Sequence, residues 1–150
     1  MTDVALVQSA GDALAFDLML DAGALATDDG LRTAVTISIF TDARASAEDE
    51  LPVAGGDRRG WWGDAIPAVA RDVTGSKLWL LERSKITADE VIRARDYLSA
   101  CLAWLVEDRV AAAVDVEVSV LRPQTLAFVV TVTRPTGERL RFDYVWNAYA

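Results

Sequence analysis

The sequence has no histidine, and that absence removes more chemistry than any residue present supplies. Without an imidazole there is no Ser-His-Asp triad, no Cys-His pair and none of the usual zinc ligand sets. The single cysteine, Cys101, excludes an intrachain disulfide. No apolar run approaches the ~20 residues that a membrane helix requires. The opening stretch, MTDVALVQSAGDAL, has neither a basic head nor a long apolar core, so no secretory signal is expected. Basic residues are also in deficit: 15 Lys and Arg face 23 Asp and Glu, for a net charge of −8. Phosphate capture needs clustered cations, so nucleic acid is not an expected partner. No metal, cofactor or membrane partner is expected either.

What is present is an apolar chain of ordinary domain size. Its 150 residues are 52% hydrophobic, enough to bury a core within one domain spanning 1–150. From Asp12 to Leu20 apolar and polar residues alternate, with Leu14, Phe16, Leu18 and Leu20 on one side, which predicts a strand with one buried face. Leu31 to Phe40 fits two periods. Leu31, Ala34, Val35, Ser38 and Ile39 make a helical face, and Leu31, Thr33, Val35, Ile37 and Ile39 a strand face. Asp28 and Asp29 would suit a helix N-cap there. Residues 41–60 are polar, with Pro52 and Gly55-Gly56, and read as a loop. A short apolar helix is expected from Ser76 to about Arg83. Thr87-Ala88-Asp89-Glu90 is a capping-box sequence, opening a helix over about 88–107 with Val91, Ala94, Leu98, Cys101, Leu102 and Leu105 inward. Three alternating rows follow: Val114 to Val120, Leu126 to Val132, and Leu140 to Trp146. Short Pro-containing turns join them, so they predict an antiparallel meander with one apolar face. The fold class is α+β: a C-terminal antiparallel β-meander packed against a long helix, with an additional N-terminal strand and short helices.

Few residues suggest chemistry. Asp64 and Glu82 flank a Trp-rich stretch, and two carboxylates beside aromatic rings could serve glycoside hydrolysis. With 23 acidic residues such pairs also arise by chance. Trp104 and Trp146 suit core packing. Trp61-Trp62 differs, because adjacent residues do not share one buried face; one ring in the core and the other at an interface is the expected arrangement. Cys101 lies on the helix's apolar stripe as a small hydrophobe. Glu48-Asp49-Glu50 reads as a solvated loop, and Gly55-Gly56-Asp57 lacks the Lys-Ser/Thr of a phosphate loop.

Three stretches carry a resemblance: Phe40-Thr41-Asp42-Ala43-Arg44-Ala45, Asp57-Arg58-Arg59-Gly60-Trp61-Trp62-Gly63-Asp64, and Gly75-Ser76-Lys77-Leu78-Trp79-Leu80-Leu81-Glu82-Arg83. Together they resemble the Mu-like phage baseplate protein family over roughly residues 12–147. More distantly the layout is similar to the wedge and sheath-initiator proteins of contractile tails. Those carry a Thr-x-Gly-Glu-Arg turn, where Thr41-Asp42-Ala43-Arg44 stands here without the Gly-Glu. They also carry Glu-Pro-Arg after the long helix, where Glu107-Asp108-Arg109 stands here with Asp for Pro. The same likeness favours helix for Leu31 to Phe40.

The resemblance implies a structural part of a contractile phage tail baseplate, not an enzyme. It would assemble in multiple copies, in a ring, with wedge proteins, tail tube and sheath, and help to start the sheath. It would be made in the bacterial host cytoplasm and reside in the virion tail baseplate. The implied interface residues are Thr41, Asp42, Arg44, Trp61, Trp62, Glu82, Arg83, Glu107 and Arg109. The last strand, with Arg139, Arg141, Asp143 and Val145, would offer an edge for strand addition. The alternatives are a tail-associated peptidoglycan hydrolase using Asp64 and Glu82, or the equivalent subunit of a tailocin or secretion-type injection machine.

Overall fold

The computed structural model describes residues 3–9, 15–28, 30–66 and 73–149. The architecture is α+β. Its centre is a three-stranded antiparallel sheet in the order β7 (Ala113–Arg122), β8 (Thr125–Thr133), β9 (Arg139–Asn147). The predicted alternation appears in β8, where Leu126, Phe128, Val130 and Val132 are buried, and in β9, where Phe142, Tyr144 and Trp146 are buried. Their odd-numbered neighbours in β9, Arg139, Arg141 and Asp143, are exposed on the other face. In β7, Val114, Val116 and Val118 are half-buried. Val120, expected in the same inward row, is 52% exposed, beside a register irregularity between Val120 and Arg122.

Two helices cover the apolar face. The ambiguous segment is helix α1 (Leu31–Phe40), which buries Leu31, Val35 and Ile39 at helical spacing. Its cap is Gly30 at φ 81°, without a side-chain hydrogen bond. Asp28 is not that cap: it lies in strand β6 (Thr27–Asp28), paired with β1 (Asp3–Val4), and Asp29 lies outside the described residues. Helix α2 (Ala88–Cys101) buries Ala94 and Leu98 and packs chiefly on β7. The single helix expected over 88–107 is two. The chain tightens where Ala103 N–H bonds Ala100 O and Leu105 N–H bonds Leu102 O, and helix α3 (Trp104–Glu107) follows. That turn keeps both Leu102 and Leu105 fully buried.

The capping box is also altered. Thr87 is the N-cap, but its hydroxyl makes no cap bond and donates instead to the Glu90 carboxylate. Apolar packing joins the layers. Phe40 lies 5.6 Å from the Tyr144 ring, and the Thr36 and Tyr144 hydroxyls share a 3.0 Å hydrogen bond inside the core. No helix among the described residues is long and apolar enough to cross a membrane.

The N-terminal strand breaks into short hairpin pieces. Strand β2 (Leu6–Gln8) pairs with β3 (Phe16–Leu18), and β4 (Leu20–Asp21) pairs with β5 (Ala24–Leu25). Ala22 and Gly23, both at positive φ, make the turn of the second hairpin. Residues 12–14 of the expected strand lie outside the described residues. Of its inward row, Phe16 touches the core, 4.6 Å from Phe40, whereas Leu18 and Leu20 are 49% and 66% exposed. The row fails because the pieces are too short to lie along one sheet face.

Candidate interaction site

The three resembling stretches meet in space, and Arg59 joins them. After α1, Thr41 to Ala43 runs beside Ser76. Ser76 N–H donates to Thr41 O and Ala43 N–H donates to Ser76 O, each at 2.9 Å. The Ser76 hydroxyl caps Ile39 O at 2.6 Å, and the Trp79 indole N–H donates to Ala43 O at 2.8 Å. Gly75 makes this approach feasible: it sits at φ 105°, and a Cβ there would lie 2.3 Å from Thr41 O.

Arg59 enters from the loop. Its Nη1 donates to Asp42 Oδ2 at 2.9 Å and to Glu82 Oε1 at 2.8 Å, and its Nη2 donates to Glu82 Oε2 at 2.6 Å. The guanidinium also stacks over Trp79, 4.5 Å from the ring centre. One planar cation thus holds a carboxylate bidentately, reaches a second and covers an aromatic face, which an ammonium does not reproduce. The Glu82 bond pushes the Arg59 pKa further up, so it stays charged. Burial raises the Asp42 carboxyl above its ordinary value, and the bond and charge of Arg59 offset only part of that. A cleft of about 350 Å³ opens beside this cluster, with Phe16, Phe40 and Trp146 in its wall.

The clamp fixes where Trp61 and Trp62 go. Gly60, at φ 109°, passes against Arg44, whose Nη1 donates to Arg59 O at 3.2 Å. The Trp61 ring then lies across Gly63, where a Cβ would come within 2.2 Å of it. Trp62 opens a single 3-10 turn, Trp62–Ala65, and its ring centre is 5.5 Å from that of Trp61. Neither ring is in the core: Trp61 is 45% and Trp62 82% exposed. The expectation of one buried ring fails because the turn projects both outward, with Ile66 beside them at 89% exposure.

Asp64 accepts the Thr74 N–H at 3.1 Å, bracing the base of that loop. Glu82 is held by Arg59, and the described clefts that contain Glu82 do not contain Asp64. The two acids are therefore separate braces. Arg83 sits at φ 63°, its N–H on Ala148 O and its carbonyl accepting the Tyr149 hydroxyl. Glu107 and Arg109 are exposed at the end of α3, with no ion pair to any described residue. Burial pushes the Cys101 thiol up to about 12, and it donates to Leu98 O at 3.2 Å, a small core group as expected.

The acidic run is not merely solvated. Asp49 accepts the Ser46 N–H at 2.6 Å, the Ser46 hydroxyl at 2.8 Å and the Lys77 ammonium at 2.6 Å, tying the loop to the Trp79 stretch. Burial pushes this carboxyl up, but the bonds from Lys77 and Ser46 outweigh it and bring its pKa to about 2. A carboxyl depressed on folding stabilises above its unfolded value and loses that contribution as pH falls through the folded one. Asp49→Asn is expected to cost about 1 kcal/mol at neutral pH, allowing for solvent screening. The deficit should shrink as pH falls from the ordinary 3.8 to about 2. Denaturant midpoints at both ends of that range check it, and a deficit unchanged by acid would contradict the clasp.

Arg59, Asp49 and Gln8 were the residues that sequence reasoning missed. Gln8 is the least expected. Its side-chain amide clips the outer side of β9, with Nε2 donating to Val145 O at 2.7 Å and Oε1 accepting Val145 N–H at 3.0 Å. Nothing in the sequence marks a glutamine 137 positions away as a partner of that strand.

Comparison with known proteins adds the family. The family model of phage protein GP46 matches residues 31–139. The chain is 40% identical over 145 residues to "Baseplate protein gp46" of Escherichia phage Mu, covering 96% of this chain and 95% of that protein. It is 37% identical over 149 residues to "Mu-like prophage FluMu protein gp46" of Haemophilus influenzae, covering 98% and 99%. No solved structure matches the chain.

Proposed function

The chain belongs to the phage protein GP46 family, and on that premise we propose that it is a structural subunit of a contractile phage tail baseplate. It assembles with wedge proteins around the tail tube and helps to start the sheath, in multiple copies arranged as a ring. It performs no turnover chemistry. The observation that carries this reading is the exposed Trp61-Trp62 pair on a loop clamped from within by Arg59. Tryptophan at the centre of an interface supplies large binding energy, and a ring already held in place loses little entropy on docking.

The other motif residues divide by role. Thr41, Asp42, Arg44, Glu82 and Arg83 hold the loop in shape. Glu107 and Arg109, exposed and without a partner among the described residues, reach a neighbouring subunit. Strand β9 is an edge of the sheet and takes an extended segment from another tail subunit.

Trp62→Ser tests the reading. The ring is 82% exposed, so the melting temperature should match that of the unaltered chain. Docking should lose about 2 kcal/mol, roughly thirtyfold in affinity. Baseplates built from the tail genes of the same genome should fall accordingly. Full yield of baseplates from the variant would remove Trp62 from the interface.

A further inference from the structure

Gln8 shows what the outer edge of β9 accepts. A primary amide is chemically a peptide group, and here it satisfies both the N–H and the C=O of Val145. Val145 therefore turns its backbone groups away from β8. In an antiparallel ladder alternate residues share that direction, so Arg139, Arg141 and Asp143 turn theirs outward too. Among the described residues no backbone hydrogen bond reaches these outward groups. Val145 is already occupied, so a strand added here spans Arg139 to Asp143 and stops.

The opposite edge of the sheet is β7. The registers Ala127↔Val145 and Ser119↔Ala127 carry the same parity across the sheet, so Val114, Val116 and Val118 are the residues of β7 with outward backbone groups. Asp115 and Glu117 alternate with them, exposed on the sheet face that also carries Arg139 and Arg141. One edge thus carries two arginines, of which Arg141 also pairs with Asp143 of its own strand at 2.8 Å, and the other carries two acids.

We infer that β9 of one copy pairs with β7 of a second copy, in parallel, with Arg139 beside the second copy's Asp115 and Arg141 beside its Glu117. This rests on the proposal that β9 is a docking edge, and names its occupant. The parity agrees. In a parallel pair each residue bonds to the residues on either side of its neighbour, so Arg141 reaches Val116 and Val118, whose backbone groups point outward. Lateral displacement keeps the apolar faces of both sheets on the same side.

Charge selects the register. Shifting by two residues sets Asp143 against Glu117, whereas the proposed register sets it against Ser119. The β9–β9 alternative centred on Arg141 opposes two arginines but sets Arg139 against Asp143 on either side, so it is told apart by the β7 reversal, which would leave it intact. The shift that relieves the arginine opposition sets Arg139 against Val145, where Gln8 sits. A β7–β7 pair opposes acids with acids. A β9–β7 contact uses different surfaces on the two copies, so repetition gives a ring or an open array.

Sedimentation velocity over a concentration series tests this with two charge reversals. One variant carries Arg139→Glu with Arg141→Glu, and the other carries Asp115→Arg with Glu117→Arg. All four side chains are exposed, and thermal melts confirm that each variant folds. The unaltered chain should associate with rising concentration, less so in high salt. Each reversed variant alone should remain monomeric. Their equimolar mixture should regain association, because each edge of one then meets an opposite edge of the other. The neutral pair Arg139→Gln with Arg141→Gln should show partial loss. A monomeric unaltered chain overturns the proposal. Loss with the β9 reversal but not with the β7 reversal also overturns it, and leaves β9 a docking edge for something else. Association unchanged in both variants removes the edge altogether.

Discussion

Gly75→Ala is expected to destabilise the chain by about 2–6 kcal/mol and to disorganise the loop that carries Trp61 and Trp62. Two costs combine. At φ 105° an L side chain is strained, by about 1–3 kcal/mol. The new Cβ would also lie 2.3 Å from Thr41 O, 2.8 Å from Thr41 C and 3.0 Å from Ala43 N, so backbone must move to admit it, a packing penalty of about 1–3 kcal/mol. The atoms that must move form the bridge between Thr41–Ala43 and Ser76. Separation there withdraws Asp42 from Arg59 and Ala43 O from the Trp79 indole. Gly137→Ala is the control. It also has positive φ, 90°, but nothing lies within 4 Å of a Cβ there, so it should cost only the backbone strain. Denaturant titration of both variants separates the two costs. A Gly75→Ala chain no less stable than Gly137→Ala would mean that the bridge yields freely and does not set the loop.

The difference between what was legible in the sequence and what was not follows interaction range. The rows of β8 and β9 were readable because a sheet with one buried face imposes a period of two, and Leu126 to Val132 and Phe142 to Trp146 obey it. Leu31, Val35 and Ile39 fit both periods, since i, i+4, i+8 belongs to both, so periodicity does not separate helix from strand there and only the family resemblance favours helix. The break after Cys101 was hidden because Leu102 and Leu105 remain apolar and buried through it. The candidate site was legible as a set of stretches but not as a geometry. With 23 acids and 15 bases, no periodicity selects Asp42 and Glu82 as the partners of Arg59, or separates Arg59 from the adjacent Arg58. Arg58 instead bonds the Ser46 carbonyl, again across a loop. Likewise nothing local distinguishes Asp49, which clasps Lys77, from Glu48 and Glu50 on either side. Short-range pattern reports burial. Long-range polar pairing is set by how the loops meet in the fold.

Arg59 carries the other large expected effect. Arg59→Ala should lower stability by about 2–3 kcal/mol, the range for charge-assisted hydrogen bonds once the half-exposure of the partners is allowed for. It leaves Asp42 and Glu82 facing each other without a cation and uncovers the Trp79 ring. Arg59→Lys keeps the charge but gives up the bidentate bond to Glu82 and the planar stack, so it should recover only part of the loss. The pH dependence identifies the cause. Burial already holds the Asp42 carboxyl above its ordinary value, and Arg59 provides the two largest effects opposing that rise. Without Arg59 the folded pKa rises further above the unfolded one. Such a group destabilises the fold when ionised, and the penalty is relieved as pH falls through the folded pKa. The gap between Arg59→Ala and the unaltered chain should therefore narrow in mild acid, whereas loss of an apolar contact alone would leave it unchanged with pH. Asp42→Asn combined with Glu82→Gln in the Arg59→Ala background should narrow it at neutral pH as well. In assembly the Arg59→Ala variant should match Trp62→Ser, since each removes the presented ring, one by truncation and one by release. Normal baseplate yield from an Arg59→Ala chain that is measurably destabilised would separate the clamp from the interface and leave Arg59 a purely structural residue.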